Sequence, residues 1–136
     1  MDWKECITKR IAKSAQIDLE LIKSLRETSQ NKLTSSKILS LNDVTSASKL
    51  SLCYDSLREL LEALAISKGY KVYNHECYTG FIKETIGNEG LADRFDRIRL
   101  LRNSINYYGQ SISIEEARES IEEIEELISQ IKKFLD

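Results

Sequence analysis

Proline is absent from this chain of 136 residues, and glycine occurs only five times. Proline breaks helices and glycine weakens their interior, so the sequence lacks the residues that most often interrupt helical structure. Apolar residues make up 41% and charged residues 31%, a balance typical of amphipathic helices around a packed core. We therefore predict one all-α domain over residues 1–136, built as an antiparallel up-down four-helix bundle with one additional short helix.

Long apolar runs are absent as well. The longest, residues 60–66, is interrupted by Glu62, which makes it unsuitable as a membrane-spanning helix. Residues 1–13 carry charges throughout and contain no apolar centre of the kind found in signal peptides. These two absences predict a cytoplasmic protein that does not partner with a membrane.

Cysteine and histidine are also scarce. The three cysteines, Cys6, Cys53 and Cys77, are odd in number and far apart in sequence. Their spacing predicts neither a disulfide framework nor a Cys-x-x-Cys metal site, and it favours a reducing intracellular setting. His75 is the only histidine, so the chain offers no ligand set typical of a metal site. We predict no metal and no cofactor.

Apolar residues that recur every three, four and seven positions predict five helical segments. These segments are residues 3–26, 43–68, 74–87, 90–108 and 113–135. Residues 29–42, rich in Ser, Asn and Lys, are either a loop or a weak extension of the first helix. Asn74 is expected to cap the third helix, and Ser113 and Glu116 stand in capping-box spacing at the start of the fifth. Gly69, Gly87 and Gly109 are the expected helix stops.

The apolar stripe of the fourth predicted helix contains an arginine. The other members of the stripe are Leu91, Phe95, Ile98 and Ile105. A guanidinium keeps its charge, and leaving it unpaired in an apolar setting costs several kcal/mol. The fold must therefore supply Arg102 with a carboxylate, a wet cleft or a bound anion. Asp18 falls in the apolar sector of the first predicted helix, which makes it the candidate structural partner of Arg102.

Charge is distributed unevenly although the net charge is only −2, a value that argues against a general nucleic-acid binder. Half of the arginines lie close together in the fourth predicted helix: Arg94, Arg97, Arg99 and Arg102. The first half of the fifth helix is correspondingly crowded with glutamates. Two explanations remain open at this point. Either the two helices are complementary within the bundle, or the arginines form an anion-binding surface.

The residues after Arg102 carry a resemblance to a known family. Arg102 and Asn103 open a run that closes with Asn106, Tyr107, Tyr108 and Gly109. The run resembles the Arg-Asn-x-x-x-His motif of the HEPN superfamily, in an archaeal-type form that ends in Asn-Tyr-Tyr-Gly. The helical layout is similar over the whole chain, and the sequence-specific part is residues 102–109. Tyr107 stands where the motif has its histidine.

HEPN domains are small helical proteins, many of which are metal-independent ribonucleases or partners of minimal nucleotidyltransferases. In the catalytic members the arginine steadies the phosphate, the histidine handles the proton of the attacking 2′-hydroxyl, and two protomers share a cleft. The resemblance therefore implies a homodimer with a cleft formed by Arg102, Asn103, Asn106 and Tyr107. With an ordinary tyrosine pKa of about 10, Tyr107 is unsuited to act as the base at neutral pH.

His75 offers two interpretations, a substitute base or a solvated residue at a helix start. For the chain as a whole, the resemblance implies a HEPN-like binding or partner module with degenerate catalysis. Such a module would act with a minimal nucleotidyltransferase or bind a nucleotide or RNA phosphate. One alternative is a metal-independent endoribonuclease toxin of a toxin–antitoxin pair. The other is a purely structural helical dimer.

Overall fold

The computed structural model describes residues 1–106 and 111–136, together with the helical backbone of residues 107 and 108. In chain order its elements are α1 (Trp3–Thr8), β1 (Ala12–Ser14), α2 (Leu19–Ile38), α3 (Ser46–Ser67), β2 (Tyr70–Val72), α4 (Glu76–Gly80), α5 (Glu89–Tyr108) and α6 (Ile114–Leu135). A π-helical segment, Phe81–Ile86, continues α4. With 75% of the chain helical, the prediction of an all-α bundle is confirmed. The predicted helix stop at Gly109 lies outside the described residues.

Helix α3 forms the centre of the core and packs against α2, α5 and α6. Its apolar stripe is almost completely buried: Leu50, Cys53, Tyr54, Leu57, Leu61 and Leu64 are each at most 1% exposed. Burying one leucine side chain stabilises a fold by about 2 kcal/mol. This continuous stripe explains why residues 43–68 were predicted close to their observed bounds.

The predicted cap of the last helix forms, whereas the N-cap residue of α4 is His75 and not Asn74. Ser113 Oγ accepts a hydrogen bond from the backbone N–H of Glu116 at 3.1 Å and also contacts the carboxylate of that residue. Asn74 Oδ1 accepts from the backbone N–H of Glu76 at 2.8 Å, next to the start of α4. Gly87 ends the π-helical segment with a φ of 80°, a left-handed conformation that glycine adopts without strain.

The prediction of one helix over residues 3–26 is wrong. Helix α1 ends at Thr8, and the chain then forms β1, which pairs antiparallel with β2 so that Ala12 lies opposite Val72. Helix α2 begins only at Leu19, with Asp18 as its N-cap. The apolar spacing across residues 9–18 is compatible with a helix. It carries no information about pairing with β2, which lies about 60 positions further along the chain.

Residues 29–38 belong to α2, so the second alternative for this segment, a helical extension, is the correct one. The serines that resembled a loop are packed against α3. Ser29 Oγ donates to the backbone oxygen of Ser56 at 2.7 Å, and Ser36 Oγ donates to that of Lys49 at 3.0 Å. Small side chains let the two helices approach closely, and α3 supplies the acceptors that buried hydroxyls require.

Cys6 and Cys77 form a disulfide, so the prediction that the cysteines provide no disulfide is wrong. Their Cα atoms lie 6.0 Å apart although 71 positions separate them in the chain, a proximity that sequence spacing cannot reveal. Cys53 is a free, buried thiol. With the disulfide formed, the cysteine count no longer supports the expectation of a reducing compartment.

Further contacts, made by Trp3, hold residues 1–14 against residues 70–86. Trp3 packs on Tyr70 and Phe81, with ring centroids 5.2 and 5.5 Å apart. Glu84 accepts a hydrogen bond from the backbone N–H of Trp3 at 2.8 Å. Gly80 lies so close to α1 that a Cβ there would stand 2.8 Å from Trp3 N. The N-terminal segment is therefore a strap across β2, α4 and the π-helical segment.

None of the helices in the described part of the chain combines the length and apolar character needed to cross a membrane.

Candidate functional site

The arginines of α5 divide into two groups. Arg94 lies 3.4 Å from Glu123 and 3.1 Å from Glu126, and Arg97 lies 3.5 Å from Glu123. These two arginines pair with the acidic face of α6, as the explanation by helix complementarity requires. Arg99 and Arg102 turn elsewhere and pair with Asp96 and Asp55. The second pair of arginines therefore belongs to a different surface.

Arg102 is held from two sides. Its Nη2 lies 3.7 Å from Asp55 Oδ1, and its guanidinium lies 5.2 Å from the centre of the Tyr54 ring. When the Asn106 amide turns its oxygen toward Arg102, that oxygen accepts from Nε at 2.9 Å and from Nη2 at 3.3 Å. The Arg102 side chain is 15% exposed. A cation over an aromatic face and charge-assisted hydrogen bonds compensate for most of the lost hydration.

Asp18 is not the partner of Arg102. Its carboxylate caps α2 by accepting from the backbone N–H of Leu21 at 3.0 Å, and the residue is exposed. The carboxylate that pairs with Arg102 is that of Asp55 in α3, and not that of Asp18 as predicted from the sequence. The error follows from the first helix, because a continuous helix over residues 3–26 would have turned Asp18 toward the core.

A cleft of about 240 Å³ lies beside this cluster, between α5 and the connection from β2 to α4. It is lined by Tyr73, Asn74, His75, Arg99 and Asn103. Asp96 Oδ1 accepts from Nε and Nη2 of Arg99 at 3.1 and 2.9 Å. Nη1 of Arg99 makes no hydrogen bond within the described part of the chain. Arg99 and Asn103 are one helical turn apart, which places both on the same face of α5.

His75 connects the cleft to Arg102. The Tyr54 hydroxyl lies 3.2 Å from His75 Nδ1, and the ring of Tyr54 packs under the Arg102 guanidinium. Burial, together with the nearby guanidiniums of Arg58 and Arg102, lowers the pKa of His75 to about 4. Burial raises the pKa of Tyr54 to about 12. His75 does stand at a helix start, as the residue before α4, but it is not fully solvated, because the imidazole is half-buried and hydrogen-bonded.

The predicted site residues thus occupy different places. Asn103 lines the cleft, whereas Arg102 and Asn106 lie on the side of α5 that faces Tyr54, Asp55 and Ser51. The side chain of Tyr107 lies outside the described residues.

Two contributors to this site, Tyr54 and Asp55, were not predicted from the sequence, and Arg99 was predicted only as one of four arginines that could bind an anion. One signal was present in α3, where the charged residues Asp55, Arg58 and Glu62 follow one another at helical spacing beside the apolar stripe. Glu62 bridges Arg58 at 3.5 Å and Lys71 at 2.6 Å. A charged row at the border of a buried stripe indicates that a neighbouring element brings countercharges to it.

No group of three or more His, Cys, Asp or Glu side chains in residues 1–106 and 111–136 is arranged to hold a metal ion. No protein-family model matches the chain, and no curated protein is significantly similar to it.

The pKa of His75 should lie far below that of an ordinary histidine. At pH values between 6.5, its ordinary pKa, and about 4, its pKa in the folded chain, His75 is protonated in the unfolded chain and neutral in the folded chain. The free energy of unfolding should therefore fall as the pH drops through this range, and His75→Gln should remove that part of the loss. Because His75 is the only histidine, an NMR titration of its imidazole measures the midpoint directly. A midpoint near 6.5 would contradict the buried environment.

Proposed function

We propose that this chain is a HEPN-like binding module that holds the phosphate of a nucleotide or RNA, with degenerate catalysis. The observation that supports this proposal is the convergence of Arg99, Asn103 and His75 on one cleft. The cleft is about 240 Å³ in volume, enough for a phosphate group and part of the molecule that carries it.

The lining suits an oxyanion. Arg99 presents a guanidinium, whose planar donors match phosphate oxygens, and Asn103 adds an amide one turn away. Each nearby guanidinium also has a carboxylate partner: Arg58 with Glu62, Arg99 with Asp96, and Arg102 with Asp55. Positive charge is therefore largely balanced, so binding would depend on directed hydrogen bonds more than on net charge. A moderate affinity for one phosphate group is the expectation.

Binding is favoured over RNA cleavage because the described site lacks a suitable base. A general base works best when its pKa lies near the working pH. Two titratable groups beside the cleft have pKa values shifted in opposite directions, that of His75 to about 4 and that of Tyr54 to about 12. At pH 7 the imidazole is a weak base and the phenol keeps its proton. The endoribonuclease alternative would need a base from elsewhere.

Two partners accompany this proposal, a second copy of the chain and a minimal nucleotidyltransferase. The cleft does not depend on either, since Arg99, Asn103 and His75 all come from one chain. A homodimer would bring two such clefts into one particle, and light scattering should then give twice the mass of the chain.

The test is a titration with inorganic phosphate, AMP and a short single-stranded RNA, followed by NMR or calorimetry. Arg99→Met should weaken binding of each ligand at least tenfold, the equivalent of about 1.4 kcal/mol. Arg97→Met is the matched control, because Arg97 lies on the same helix but is 66% exposed and pairs with α6. An equal loss in both variants would indicate only diffuse charge. No binding of any of the three ligands to the wild type would refute the proposal.

A further inference from the structure

We infer that Tyr54 holds His75 in the tautomer that carries its proton on Nε2, so that the histidine serves the cleft as a neutral hydrogen-bond donor. This inference rests on the proposed binding of an anion in the cleft. It adds a positioning residue, Tyr54, that does not itself line the cleft. It also assigns His75 a role other than that of a base.

The first step concerns the Tyr54 hydroxyl. Tyr54 is completely buried, and its only hydrogen bond in the described part of the chain is the one to His75 Nδ1 at 3.2 Å. A buried hydroxyl whose proton finds no acceptor loses its hydration without compensation. The phenol stays protonated, because burial raises the pKa of Tyr54 to about 12. The hydroxyl proton must therefore point at Nδ1.

The second step concerns the imidazole. A ring nitrogen that accepts a hydrogen bond carries no proton, and a neutral imidazole carries one proton in total. His75 is neutral at pH 7, since burial and the nearby guanidiniums hold its pKa at about 4. With Nδ1 occupied as an acceptor, the proton resides on Nε2. That nitrogen makes no hydrogen bond to any described residue, so it is available to a ligand.

The opposite arrangement is disfavoured by the surroundings of the ring. If Nδ1–H donated to the Tyr54 oxygen, the hydroxyl proton would need another acceptor. The charged neighbours of Tyr54 and His75 are the guanidiniums of Arg58, Arg99 and Arg102, which have no acceptor, and the carboxylate of Asp55, to which the Tyr54 hydroxyl makes no hydrogen bond. Arg102 reinforces the tautomer because its guanidinium, 5.2 Å from the centre of the Tyr54 ring, pairs with Asp55, the one acceptor among these groups.

The consequence for the cleft is chemical. An Nε2–H group can donate to a phosphate oxygen alongside Arg99 and Asn103, but it cannot take a proton from a substrate hydroxyl. Tyr54 therefore converts the one histidine of the chain into a ligand-binding donor and removes it as a base at the same nitrogen. The Tyr54→Phe variant should release the ring into a mixture of tautomers and weaken phosphate binding about threefold to tenfold.

The experiment is nitrogen-15 NMR of the His75 ring, whose nitrogen shifts and couplings distinguish the two tautomers. The wild type at pH 7 should show the Nε2–H form, and Tyr54→Phe should show a mixture. Tyr78→Phe is the matched control: Tyr78 is also buried and its ring lies 6.4 Å from that of His75, but it makes no hydrogen bond to the imidazole. This variant should keep the wild-type tautomer.

The wild-type spectrum alone decides the assignment, even if Tyr54→Phe fails to fold. An Nδ1–H form in the wild type, or an unchanged tautomer in a folded Tyr54→Phe protein, would overturn the inference whether or not phosphate binds. The expected tautomers without binding of phosphate, AMP or RNA to the wild type would instead refute the proposed function, and with it the donor role of His75. Expected tautomers together with selective loss of phosphate affinity in Tyr54→Phe would support both.

Discussion

Replacing Cys6 and Cys77 together with alanine should lower the free energy of unfolding by about 4 kcal/mol. The disulfide joins residues 71 positions apart, and a cross-link over so long a loop removes much of the conformational entropy of the unfolded chain. Denaturant unfolding of the oxidised wild type and of the double variant measures the difference. For a chain of this length, the melting temperature should fall by about 10 °C or more.

A reductant provides the control. It should destabilise the wild type toward the value of the double variant and leave the double variant unchanged, because Cys53 is not part of a disulfide. Alkylation of the unfolded, unreduced protein should modify one thiol, that of Cys53. Modification of all three thiols in freshly purified protein would show that Cys6 and Cys77 are not joined.

Arg102→Met should destabilise the protein by about 2–3 kcal/mol, because it removes the pair with Asp55, the contact with Tyr54 and the hydrogen bonds to Asn106. Asp55→Asn should cost about 1 kcal/mol, since the Asp55 side chain is 30% exposed and water replaces part of the interaction. The loss of stability in the double variant should be smaller, by about 1 kcal/mol, than the sum of the losses in the two single variants.

Arg118→Met is the control for this cycle. Arg118 pairs with Glu115 at 2.6 Å but is 49% exposed, so its loss should change stability by less than about 0.5 kcal/mol. Chemical denaturation of the wild type and the four variants supplies the measurements. Strict additivity between Arg102 and Asp55 would mean that the 3.7 Å pair contributes nothing, and equal effects for Arg102 and Arg118 would mean that burial does not matter.

The helices that sequence analysis predicted well are those determined by short-range interactions. Helix α6 begins after the Ser113 cap and repeats its apolar residues at spacings of three and four. Helix α5, which begins at Glu89, also repeats its apolar residues at helical spacing. Capping and apolar spacing both depend on residues within a few positions of one another, so they can be recognised in the sequence alone. The prediction of the first helix was wrong because it depends on a contact between distant segments. Its interruption at residues 9–18 is stabilised by β2, which lies far along the chain.

The candidate site shows the same division. That Arg102 needs a partner follows from the chain alone, because a charge inside an apolar stripe is costly wherever the helix packs. That the partner is Asp55 and not Asp18 depends on which face of α3 meets α5. The cleft itself joins His75 to Arg99 and Asn103 across more than 20 positions, and no local pattern encodes that contact.

Composition and periodicity were sufficient for the all-α class, the bounds of α3, α5 and α6, and the conspicuous position of Arg102. These properties depend on local backbone preferences and on which residues avoid water. Packing in three dimensions alone established the Cys6–Cys77 disulfide, the contact between Tyr54 and His75, and the turn of Arg99 toward the cleft. Such contacts depend on distances between segments remote in sequence, and those distances exist only once the core has formed.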